Sequence, residues 1–186
     1  MEISLSIPAK AFSTVYPFIS NKKSLEAISC IYIDPLRICA LNGHALLMYE
    51  NPNKDTPFIV GKEFILIEPS LSLVKESKKK NAYNIIYKGE RLTLMDTYEK
   101  EIYIEPGEAF RDYQYPDFEQ VLARRESKQD LSEICFPYSC FDLIKKAFGK
   151  NARIKFEFTG KKDPCFFTIE DSPEYLGIIM PMSPEY

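Results

Sequence analysis

The 186 residues predict an α+β fold of repeated β-α-β-β-β units, with helices on one face of antiparallel sheets. Three observations carry that expectation. An alternating strand runs into a proline and then a helix three times; two or three further strand-like runs follow each helix; and the marking prolines, Pro8, Pro69 and Pro137, stand about 60 to 70 residues apart. A unit of this kind has an apolar face it cannot bury alone, so the way the units pair decides the architecture.

The first unit opens on Ile3-Ser4-Leu5-Ser6-Ile7, whose alternation fits a half-buried strand. Pro8 then starts a helix over Ala9–Ile19, because a proline's missing N–H and fixed φ are tolerated in a first turn. Phe12, Val15, Tyr16 and Ile19 recur at helical spacing and form an apolar stripe, and Pro17 is expected to kink or end the helix early. Strands are predicted at Ala27–Ile33, Arg37–Leu41 and Ala45–Glu50, with a turn at Asp34-Pro35.

The second unit repeats the order: strand Phe64–Ile67, then Glu68-Pro69 and a helix over Ser70–Lys80. Leu71 and Val74 are expected inward, with Lys75, Lys78 and Lys79 outward. Strands Ala82–Tyr87, Arg91–Met95 and Glu101–Glu105 follow, with a turn at Lys88-Gly89-Glu90. In the third unit, strand Glu133–Phe136 and Pro137 lead to a helix over Tyr138–Phe148, with Phe141, Ile144 and Phe148 inward. Strict alternation makes Arg153–Phe158 the clearest strand, and Cys165–Glu170 and Gly177–Met180 complete the unit after a turn at Gly160–Asp163. Residues 123–132 carry five charges and one large apolar side chain, the composition of a linker. The expected division is a complete two-unit domain over 1–122, a linker over 123–132, and a half domain over 133–186 that lacks a mate.

No run approaches the ~18 apolar residues of a membrane span, and the start shows no basic segment before an apolar core. A soluble, cytoplasmic protein is the expectation. The five cysteines form no C-x-x-C pair and read as reduced core residues, with no metal site. Net charge is −3, which by itself speaks against nucleic acid, but the three helical segments carry +8 and the remainder −11. The lysines concerned are Lys10, Lys22 and Lys23 in the first, Lys75, Lys78, Lys79 and Lys80 in the second, and Lys145, Lys146 and Lys150 in the third.

Catalytic patterns are missing. His44 is the only histidine and has no carboxylate within five residues, and there is no nucleophile elbow, Walker loop or dinucleotide fingerprint. A non-enzyme without cofactor is expected. Two other segments stand out: the Asn-Gly turn in Leu41-Asn42-Gly43-His44-Ala45-Leu46, and Gly177-Ile178-Ile179-Met180-Pro181-Met182, whose methionines suit an adaptable apolar surface.

With the repeat, these two segments resemble the bacterial sliding clamp, the β subunit of DNA polymerase III. In that family a Thr-Asp-Gly-His-Arg-Leu segment and a Val-Met-Pro-Met segment line one peptide-binding pocket. Tyr115-Pro116-Asp117-Phe118-Glu119-Gln120-Val121-Leu122 likewise resembles the family's Phe-Pro-Asp-Tyr-x-x-Val-Leu-Pro, which closes a domain before a linker. The departures are that a clamp subunit has six such units and this chain three. The family's pocket arginine is Ala45 here, its threonine Leu41, and its closing proline Ala123. Residues 1–122 are similar to the family's middle domain and 133–182 to the second half of its last.

The resemblance implies a DNA-clamp fold and a sliding-clamp-like replication or repair factor that encircles or docks on duplex DNA without sequence specificity. Polymerase and clamp-loader peptides would bind a pocket of Leu25, Leu41, Gly43, His44, Leu46, Leu122, Ile178, Ile179, Met180, Pro181 and Met182, while the ten helical lysines face DNA. The alternative is a non-ring adaptor or decoy that binds such peptides without encircling DNA. The odd number of units implies a homo-oligomer, dimer or tetramer, joined through Arg153–Phe158 or Cys165–Glu170.

Overall fold

The structure, a computed structural model, describes residues 3–20, 26–88, 90–107, 114–126 and 134–182. β1 (Ser4–Pro8) turns Leu5 and Ile7 inward and Ser4 and Ser6 outward. Pro8, with φ −62° and ψ 124°, stands just before the first helical residue of α1 (Ala9–Val15) rather than inside its first turn, so it closes the strand as well as opening the helix. The α-helix ends at Val15 and a 3-10 turn over Tyr16–Phe18 accommodates Pro17.

The strand expected from Ala27 begins only at β2 (Ile31–Ile33), and Glu26–Ser29 form a 3-10 turn. The Ile28 carbonyl accepts from the Ser20 amide at 2.8 Å, which takes it out of any ladder. Asp34 makes the next turn by accepting from the Leu36 and Arg37 amides at 2.8 and 2.7 Å. β3 (Arg37–Leu41) and β4 (Ala45–Glu50) follow, then β5 (Ile59–Val60), which periodicity had not marked.

β6 (Ile65–Ile67) leads to α2 (Leu71–Ser77), whose start is capped by Ser70 Oγ accepting from the Leu73 amide at 2.9 Å. Its buried face holds Leu73, Val74 and Ser77, while Leu71, expected inside, is 64% exposed. Ser77 can be buried because its hydroxyl donates to the Leu73 carbonyl at 2.7 Å. β7 (Ala82–Lys88), β8 (Arg91–Asp96) and β9 (Glu101–Pro106) form a meander. A short α3 (Glu119–Leu122) and a 3-10 turn over Ala123–Glu126 follow.

In the third unit the expected strand before Pro137 is reduced, among the described residues, to one bridge between Cys135 and Met182. α4 (Tyr138–Phe148) precedes β10 (Ile154–Glu157), β11 (Cys165–Ile169) and β12 (Ser172–Ile179). Within α4 only Cys140 and Ile144 are buried, and Phe141 is 37% exposed against the expectation of an inward position. Four cysteines are buried as expected; Cys135 is exposed.

Among the described residues all strand pairs are antiparallel and form two sheets, in the orders β5-β1-β7-β8-β9 and β10-β11-β12-β4-β3-β2-β6. Units one and two exchange their first strands: β1 joins β7–β9, and β6 joins β2–β4. The third unit is not left unmated, because β12 pairs with β4 from Tyr175 opposite Tyr49 to Ile179 opposite Ala45. β11 consequently lies inside the sheet between β10 and β12, so Cys165–Glu170 is no free interface strand; the open edge on that side is β10.

α1 packs between α2 and α4, and against β3, β4 and β7. Six of its seven residues are therefore buried, more than an amphipathic stripe requires. The principal core gathers Phe12, Val15, Ile38, Ala40, Leu47, Ile85, Ile144 and Phe167 between the helices and the sheets. Among the described residues no helix is long and apolar enough to cross a membrane.

Candidate functional site

The seven-stranded sheet is apolar on both faces. Ile38, Ala40, Leu47 and Ile179 belong to the helix-side core, whereas Cys39, Leu41, Leu46, Met48, Leu176 and Ile178 belong to a second cluster on the other face. A sheet face of this kind needs a cover, and the segment Tyr115–Leu122 supplies it. Tyr32 stands in the middle of the contact, with its ring 5.0 Å from Tyr115, 5.2 Å from Phe64 and 5.5 Å from Phe118. Burial, with the Asp34 carboxylate adding to it, pushes the Tyr32 phenol up. Burial pushes Tyr115 and the nearby Cys39 thiol well up.

Arg37 fixes the cover from the side. Its Nε donates to Asp34 Oδ2 at 2.9 Å, its Nη1 pairs with Glu119, and its guanidinium carbon lies 5.4 Å from the centre of the Phe118 ring. Burial pulls its pKa down, but Glu119 and Asp34 outweigh that and the net shift is upward. Asp117 orders the start of α3 by accepting from the Glu119 amide and the Gln120 side chain, both at 3.0 Å.

Where the cover stops short of the end of the sheet, an apolar cavity of about 740 Å³ remains. Its floor is Leu41, Leu46 and Ile178, the last two directly paired across the β4–β12 seam. Phe118 and Val121 form one wall with Pro116, and Ala27 and Ile28 of the 3-10 turn form another. The rim is the Gly43-His44 turn. Asn42 Oδ1 accepts from the His44 and Ala45 amides at 3.1 and 3.0 Å, and Gly43 takes φ +90°, which a side chain would strain. The His44 carbonyl accepts from the Met180 amide at 2.8 Å, so the rim and the segment after β12 hold one another. The Met180 side chain, 37% exposed, completes the mouth. Such a site can take a few apolar anchors of an extended chain, with little polar recognition of its own.

Of the residues proposed from the sequence, Leu41, Gly43, His44, Leu46, Ile178 and Met180 line this cavity. Leu122 packs against the same cluster without reaching the lining. Ile179 points to the opposite face, fully buried in the helix-side core, as alternation along β12 requires. Pro181 and Met182 lie past the mouth; the Met182 amide donates to the Cys135 carbonyl at 2.8 Å and its side chain is 42% exposed. Leu25 lies outside the described residues. Ala45, the counterpart of the family's pocket arginine, also lines it, whereas sequence reasoning missed Ala27, Ile28, Gln114, Pro116, Asp117, Phe118 and Val121. The signal for the covering segment was available, because β3 and β4 read as continuous apolar runs rather than alternating ones.

The helices occupy the other side of this sheet. Lys10, Lys75, Lys78, Lys79, Lys80, Lys145, Lys146 and Lys150 are all exposed, on or just after α1, α2 and α4. Lys79 pairs with Glu76. Lys22 and Lys23 lie outside the described residues.

No protein-family model matches the sequence, and no curated protein does. Solved structures do. The DNA polymerase III β subunit of Thermotoga maritima superposes with a TM-score of 0.63 at 15% identity, over 97% of this chain and 65% of that one. The DNA polymerase sliding clamp of Pseudomonas aeruginosa gives 0.62 at 12% identity, over 97% and 66%. That of Bacillus subtilis gives 0.61 at 12% identity, over 97% and 64%. The chain thus spans about 65% of the length of the structures it matches, and across that span its fold is the fold of the bacterial sliding clamp.

Proposed function

We propose that this chain is a sliding-clamp-like factor of DNA replication or repair, not an enzyme, which docks on duplex DNA and tethers polymerase or clamp-loader peptides. The observation that carries this reading is the apolar cavity across the β4–β12 seam, on the face opposite the lysine-bearing helices of a clamp fold. That arrangement separates two tasks. Exposed lysines attract phosphates without reading bases, while a partner's apolar anchors are held on the far side. A lining with Leu41 and Ala45 where the clamp family has threonine and arginine suits a more apolar peptide tail.

The second reading is an adaptor or decoy that binds such peptides without encircling DNA. One experiment separates the two. Fluorescence polarisation is run with a Gln-x-x-Leu-Phe peptide and with nicked duplex DNA, on the wild type, on Met180→Ala, and on a triple Lys75→Glu, Lys78→Glu, Lys79→Glu variant. Met180→Ala should weaken the peptide at least tenfold, about 1.4 kcal/mol, and leave DNA untouched. The triple variant should lose DNA binding, which in the wild type should fall steeply between ~50 and ~200 mM salt. Peptide affinity indifferent to Met180 rejects the pocket; DNA affinity indifferent to the lysines leaves the adaptor.

A further inference from the structure

Around the mouth of the apolar cavity, four backbone donors are already engaged. Asn42 Oδ1 accepts from the His44 and Ala45 amides at 3.1 and 3.0 Å. The Met180 amide donates to the His44 carbonyl at 2.8 Å, and the Glu119 amide donates to Asp117 Oδ1 at 3.0 Å. Two of these amides belong to the rim turn, one follows β12 and one opens α3. Each is spent within the protein, so none of the four is left to receive a ligand's carboxylate.

The charges of the lining point the same way. Its ionisable side chains are His44 and Asp117, both exposed, and among the described residues no lysine or arginine joins them. The cations nearest in the cover are committed elsewhere. Arg37 pairs with Asp34 and Glu119, and Arg124 and Arg125, in the turn after α3, pair with Asp163 and Glu157. Asp117 accepts from the Glu119 amide and the Gln120 side chain, but it meets no cation among the described residues. Its negative charge therefore stands unbalanced beside an apolar opening.

We infer that the cavity selects a segment whose apolar anchors are flanked by lysine or arginine, and rejects one flanked by aspartate or glutamate. The inference rests on the peptide-site reading above and adds a charge preference to it. An anchor seated on Leu46 and Ile178 brings its neighbouring residues to the mouth. A basic side chain there meets the Asp117 carboxylate while its methylene stem covers apolar lining. An acidic one meets the same carboxylate with neither amide nor cation to compensate, so the selection comes from repulsion as much as from attraction. Because Asp117 is exposed, water screens both effects and the preference is several-fold in size.

Fluorescence polarisation on the full chain tests it with labelled peptides blocked at both ends: Gln-Lys-Ser-Leu-Phe, Gln-Ser-Ser-Leu-Phe and Gln-Asp-Ser-Leu-Phe. Near pH 8, where imidazole is uncharged, and at ~50 mM salt, the lysine peptide should bind about three- to tenfold more tightly than the aspartate peptide, with serine between them. At ~1 M salt the three should converge to within about twofold. Asp117→Asn keeps an oxygen to cap α3 and should bring about the same convergence at low salt. Equal affinities, or a preference for aspartate, overturn the charge preference alone if Met180→Ala still weakens all three peptides. Affinities indifferent to Met180→Ala overturn it together with the peptide site. A lysine preference that survives Asp117→Asn overturns the inference as well, because another group would be its source.

Discussion

Units two and three have the same order of elements and use opposite ends of it. Unit two joins its neighbour through its first strand, β6, and through α2 packed on α1, and its inward residues Leu73, Ile85 and Leu94 are fully buried. Unit three joins through its last strand, β12, and through α4 on the other flank of α1, while its first-strand segment makes one bridge, Cys135 to Met182, and no described strand lies on the outer edge of β10. A helix over a meander therefore does not dictate which edge will be used. That choice is made by pairing between segments far apart in the chain, and it decides which copy is closed.

The largest expected effect is a difference in core sensitivity between the two units. Leu73→Ala, in a fully buried position of α2, should cost about 2–5 kcal/mol in urea denaturation. Phe141→Ala in dilute protein should cost roughly 1–2 kcal/mol, because much of that ring already faces water. An equal or larger loss at Phe141 would break the comparison, since it would mean that unit three is closed too.

The seam of unit three offers a second, somewhat smaller test. A Cβ on Gly177 would come within 1.9 Å of the ring of Phe167, its partner across β11–β12, and that ring is fully buried and cannot step aside. Gly177→Ala should destabilise by about 1–3 kcal/mol and speed amide exchange in β11 and β12 more than in β7 and β8. Uniform exchange in both sheets would show that the units melt as one.

The smallest effect is chemical. Cys135 is exposed in the segment before Pro137, whereas the other four thiols are buried and burial pushes Cys165 up to about 12. Alkylation of dilute native protein near pH 8 should label Cys135 and spare the rest. Rapid labelling of Cys165 would mean that β11 opens as readily as the 134–136 segment.

Much of the fold was readable because its cues are local. Pro8, Pro69 and Pro137 mark strand-to-helix junctions through φ and a missing donor, and alternation in 153–158 needs no partner to be seen. What escaped depends on distant pairing. The 27–30 segment has strand composition, but Ser20 takes the Ile28 carbonyl. Leu71 has the right spacing to be inside, yet α2 packs on α1 and β7–β9 through Leu73, Val74 and Ser77. The site divides the same way. The Asn-Gly turn with His44 was legible as a motif, whereas Phe118 and Val121 join it only because Arg37 and Tyr32 dock their segment on the sheet. Ile179 adjoins lining residues in the sequence, but strand alternation sends it to the other face.

The β4–β12 seam also constrains the order in which the molecule can be assembled. Leu47 lies opposite Gly177, so this ladder closes a far longer loop than any hairpin in either sheet. Loop-closure entropy delays such contacts until local hairpins are in place. The cavity floor is Leu46 against Ile178, and its rim is tied by Met180 to His44, both across that same ladder. A partly folded chain can therefore have its helices, its β7–β9 meander and its β2–β4 hairpins and still offer no pocket. The cavity is complete only in a chain whose β4–β12 ladder has closed.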